Sequence, residues 1–151
     1  MRPMTDAVLI GLALTAGALL PLQALVNARL GAQLAAPFWA ATLQNVLGAA
    51  AMGSVVLAMR APAPTVAQLA AAPIWSWAGG ILGAGYVLLA MLTTPKLGAT
   101  RAMVAIITGQ LVAALLLDHF GVLQARREID LKTLGGLVLL AAGAWLILGR
   151  E

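Results

Sequence analysis

The stretch from Ala99 to Phe120, ATRAMVAIITGQLVAALLLDHF, decides the fold. Between Arg101 and Asp118 it carries no charge, and at about 1.5 Å of rise per residue a helix over it crosses the ~30 Å hydrocarbon core of a bilayer. Gly121 follows as a helix terminator. Downstream, the polar segment Gln124 to Lys132 separates it from a fifth span, about 134–148, with Trp145 near its far end and Arg150 beyond. Upstream, a third span, about 73–94, opens on Pro73, Trp75 and Trp77, and Pro95 and Lys96 are expected to end it. The loop 60–72 holds Pro62, Pro64 and a Thr65-x-x-Gln68 pair suited to cap a short surface helix. A second span, about 38–59, has Pro37 in place to start it and Trp39 at headgroup depth. The first, about 7–30, contains Pro21, predicted to bend or break the helix just before Gln23. Its start resembles a signal peptide, but the polar residues after Leu22 continue a helical pattern rather than a small-residue cleavage site, and four spans follow. No strand alternation appears.

Composition agrees. Hydrophobic residues make up 62% of 151, charged residues 9%, and the mean hydropathy is +0.99, more than a soluble core needs. We therefore expect an all-α integral membrane protein forming a single five-span domain, 1–151, with its activity inside the membrane. The net charge of +4 comes from basic residues at the ends of apolar runs rather than on one patch. This favours the lipid bilayer as partner over nucleic acid. With no Cys and a lone His119, metal sites and thiol chemistry are not expected, and no cofactor is indicated. No nucleophile with a base partner and no paired carboxylates can be assembled from the spans, so an enzyme is not expected.

The nine Lys and Arg residues divide almost evenly. Arg2, Arg60, Arg126, Arg127 and Lys132 fall on one side; Arg29, Lys96, Arg101 and Arg150 fall on the other. Orientation follows the basic bias between short loops, and here the bias is close to nil. The chain can insert both ways round and pair as an antiparallel homodimer, a ten-helix assembly built like an inverted repeat. The alternative is an accidental tie tipped by Arg2 beside the terminal amine.

Polar side chains at bilayer depth face a bundle interior or a wet cavity. Gln23 and Asn27 share one face of the first span and suit solute binding as well as they suit hydrogen bonds between helices. In the second span Gln44 with Gly48 is the preferred lining over the adjacent Asn45. Gln110, near the middle of the fourth span, is the leading candidate for solute contact. Tyr86 lies on a stripe with Gly79, Gly83, Ala90 and Thr93; the glycines point to helix packing, and Tyr86 offers a hydroxyl or ring face to a solute. Asp118 and His119 are the candidates for proton coupling, although such a pair more often marks the membrane interface.

The stretches Gln23–Gly31, Trp77–Tyr86, Thr94–Ala99 and Gly109–Gly121 together resemble the YdcZ-like family of the drug/metabolite transporter superfamily, over nearly the whole chain. The resemblance implies a half-size, five-span, multi-pass protein of the bacterial inner membrane, with relatives that include dual-topology proteins, oppositely oriented pairs and fused ten-span versions. Small multidrug exporters, more distant in that superfamily, exchange protons for cations at a membrane-embedded Glu of their first span. Here that span has Gln23 and Asn27 instead. The expected function is a secondary transporter or facilitator of a small polar or amphipathic metabolite. A passive dual-topology channel, or a non-transporting subunit assembled with another protein, are the alternatives.

Overall fold

A computed structural model describes residues 5–122 and 130–149. Arg2, Arg126, Arg127 and Arg150 of the charge tally lie outside these residues. The regular elements are helical: α1 (Asp6–Gln33), α2 (Pro37–Ala58), the short α3 (Val66–Ala71), a 3-10 turn (Ile74–Trp77), α4 (Ala78–Leu97), α5 (Ala99–Phe120) and α6 (Leu131–Leu148). Five of them, counting the 3-10 turn with α4, are long and apolar enough to cross a membrane.

Local chemistry sets the boundaries. Asp6 opens α1, where a negative charge meets the positive end of the helix dipole, and Pro37 sits in the first turn of α2, where its missing N–H costs nothing. The Thr65 and Gln68 pair forms the expected capping box on α3: Gln68 N–H donates to Thr65 Oγ1 at 3.2 Å, and Thr65 N–H donates to Gln68 Oε1 at 2.8 Å. α5 ends on Gly121 in the left-handed conformation (φ 66°), with Gly121 N–H donating to Asp118 O and Val122 N–H to Leu117 O. The same two-bond closure ends α1 at Ala35 (φ 49°) and α2 at Arg60 (φ 50°), neither of them glycine. Hydroxyls inside the spans donate to carbonyls four residues back, as in Thr15 to Gly11, Ser54 to Ala50 and Thr108 to Val104. Side chains thereby supply partners that lipid cannot.

Two expectations are corrected. α1 is continuous through Pro21, which overturns the break, the stronger of the two outcomes expected there. The proline removes the bond to the Gly17 carbonyl, six residues before Gln23 and on another face, so no unwound segment lies beside Gln23 and Asn27. Pro95 likewise lies inside α4. That helix stops only at Gly98, whose φ of +78° no helix can continue. In both places the preceding turns hold the helix together although one bond is missing.

By its contacts the chain divides into two compact units, Met1–Pro95 and Lys96–Glu151. In the first, Ala40, Ala41 and Met91 form a small core flanked by Ala28, Leu30, Val87 and Leu88. Gly31 packs here: a Cβ on it would lie 3.3 Å from Met91 Sδ, 3.6 Å from Pro37 Cα and 3.8 Å from Ala40 Cβ. Lipid tails are as apolar as leucine, so helices associate in a membrane through close packing, and Gly and Ala at the contact allow it. In the second unit α5 packs against α6, and Arg101 Nη2 donates to the Leu148 carbonyl at 2.7 Å, placing a cation at the negative end of α6. The large side chains point outward, with Leu14 70%, Leu57 78% and Ile81 77% exposed. Such a surface is suited to acyl chains or to another protein.

Candidate functional site

The first unit holds a groove of about 700 Å³ between α2 and α4. The α2 side presents Phe38, Ala41, Thr42, Asn45, Val46 and Ala49, and the α4 side presents Gly80, Ile81, Ala84, Gly85 and Leu88. The spacing explains both walls: 38, 42, 45, 46 and 49 form one face of a helix, and 80, 81, 84, 85 and 88 form another. Glycine and alanine on α4 leave the space, since a Cβ on Gly80 or Gly85 would meet nothing within 4 Å.

Asn45, not Gln44, enters this groove. Asn45 Nδ2 donates to the Ala41 carbonyl at 2.8 Å, and Thr42 Oγ1 donates to the Phe38 carbonyl at 3.0 Å. Of the two adjacent amides, the sequence alone favours Gln44 with Gly48 as a lining. The i, i+3 spacing of Thr42 and Asn45 between Phe38 and Ala49 was the available signal for the other choice.

Gln44 is half-buried, and its Oε1 is enclosed with no hydrogen-bond partner among the described residues. Asn27, 6% exposed, also has an amide without a hydrogen bond there. Gly31 lies against Ala40, and Asn27 and Gln44 each stand one helical turn on from that contact along their own helices. Gln23, a further turn along α1, is half-buried. Tyr86 is half-buried on α4 and does not line the groove. Gly79 and Gly83 have open space where a Cβ would stand, with no heavy atom of another described element within 4 Å.

In the second unit Gln110 is exposed near the middle of α5, without a hydrogen bond among the described residues. Two smaller grooves between α5 and α6, about 290 and 270 Å³, share Thr108 and do not include Gln110. Asp118 and His119 occupy the last turn of α5 and are half-buried. His119 Nδ1 is enclosed without a partner among the described residues, and its ring stands edge-on to Phe120, centroids 5.2 Å apart.

Five helices long and apolar enough to cross a bilayer define a polytopic membrane protein. The chain belongs to the YdcZ family: the family model described as "Putative inner membrane exporter, YdcZ" matches residues 8–146. No curated protein and no solved structure matches it. The chain is thus a multi-pass protein of the inner membrane.

Proposed function

We propose that this protein is a transporter or facilitator of a small polar or amphipathic metabolite, of the drug/metabolite transporter kind, working as an antiparallel homodimer. Gln23, Asn27, Gln44, Tyr86 and Gln110 surround the cavity of the ten-helix inverted-repeat assembly. The family's description as an inner-membrane exporter supports the transport part of this reading. The exposed Gln110 carries the assembly part. An amide turned toward acyl chains leaves its donors and acceptor unmade, at a cost of several kcal/mol, so a second protein surface or a wet cavity covers it. A second copy supplies that surface, and the even division of Lys and Arg allows it to stand upside down.

The test has two arms. Tags on the C-terminus report orientation, and a mixed population of cytoplasmic and external ends is expected; a uniform location removes the homodimer. Solute counterflow in proteoliposomes distinguishes a carrier from a static pore, because only a carrier accelerates exchange.

A further inference from the structure

The groove between α2 and α4 has a polarity that no comparison assigns. We propose that it binds an uncharged, largely apolar molecule bearing one hydrogen-bond donor, held by Thr42 and Asn45. The proposal goes beyond the transport reading above, whose five cavity residues do not line this groove.

Size comes first: about 700 Å³ falls within the roughly 300–1,000 Å³ of small-molecule sites, which are mostly apolar with a few polar groups fixing orientation. The polar groups here have a definite sense. The Thr42 hydroxyl proton and one Asn45 amide proton are given to carbonyls of their own helix. The Thr42 Oγ1 lone pair and Asn45 Oδ1 remain as acceptors one helical turn apart, against a single remaining Asn45 N–H, so the free groups favour a ligand that donates. Phe38 at the same wall offers a ring to the apolar body.

Charge sets the remaining constraint. No ionisable side chain occurs anywhere in α2, and Tyr86 is the sole one in α4 before Lys96. An ammonium or carboxylate entering the groove would stand unpaired at bilayer depth, costing several kcal/mol. The ligand is therefore neutral.

Two dyes with one skeleton test this. N-phenyl-1-naphthylamine is neutral, apolar and carries a single N–H; 8-anilino-1-naphthalenesulfonate is the same framework with an anionic sulfonate. With the full chain in phosphatidylcholine nanodiscs, the neutral dye is expected to give saturable fluorescence above that of empty discs, and the sulfonate none. Asn45→Ala weakens binding roughly threefold to tenfold, the value of one hydrogen bond. Gly85→Leu fills the groove and abolishes saturation, in a place where added atoms meet nothing. Gly11→Leu, equally unobstructed, leaves binding unchanged and controls for bulk. Equal saturable binding of both dyes, or wild-type binding by Gly85→Leu, overturns the proposal; the latter would mean that the dye reports lipid. Saturable neutral-dye binding with the expected response to Gly85→Leu, in a protein without counterflow, upholds the groove and removes only the transport reading.

Discussion

Single residues set several terms of this fold, and two can be read directly. Ala35 closes α1 in the left-handed region, where an L side chain costs about 1–2 kcal/mol. Ala35→Gly is expected to stabilise the protein by about 1 kcal/mol in thermal unfolding in detergent, whereas Ala51→Gly, inside α2, costs about as much. Asp130 caps α6 by accepting from Thr133 N–H at 2.7 Å. Hydrogen bonds from Thr133, its hydroxyl first and then its backbone, hold the Asp130 carboxyl below the usual carboxylate range. A lowered folded-state pKa means that this contribution is fully present above the unfolded value near 3.9 and is lost as pH falls through the lower folded value. Protection of the Thr133 amide from hydrogen exchange should follow that curve. Asp130→Asn, which keeps an accepting oxygen, should flatten it.

The helices themselves were legible because a run of apolar residues long enough to cross a bilayer admits few other conformations in lipid. Pro37, Thr65 with Gln68, and Gly121 marked their boundaries by ordinary capping chemistry. Pro21 and Pro95 misled because a proline in water breaks a helix far more readily than one in a membrane, where an opened backbone has no solvent to satisfy it. Less of the candidate site was legible. Choosing between Gln44 and Asn45 needs the rotation of α2 about its axis, and that depends on which face meets α4. Glycines are a parallel case, since the same residue type makes a contact at Gly31 and empty space at Gly83. Gly31→Leu should destabilise the first unit by about 1–3 kcal/mol through overpacking against Met91 and Pro37. Gly83→Leu should leave unfolding within about 0.5 kcal/mol of wild type, while lowering the dimer fraction in cross-linking if that stripe seats a second copy.

For the whole molecule the proposed antiparallel pair turns on the balance of cationic anchors. Two added Lys beside Arg150 should fix one orientation, visible as a single C-terminal tag location, and reduce transport with it. Unchanged transport in a proven single-orientation population would count against the antiparallel pair. Arg101→Ala should cost about 1.5–3 kcal/mol, the worth of a hydrogen bond to a charged group, because the Leu148 carbonyl loses its donor. That bond also has a timing. Its partners are 47 residues apart in the chain, and at roughly 5–20 residues per second of synthesis Leu148 is made about 2–9 s after Arg101. While the nascent polypeptide is being threaded, Arg101 is a bare cation that weighs on the choice of direction. Once α6 arrives the same guanidinium is drawn into the bundle, so the electrostatics that select an orientation differ from those that the mature protein shows to its headgroups.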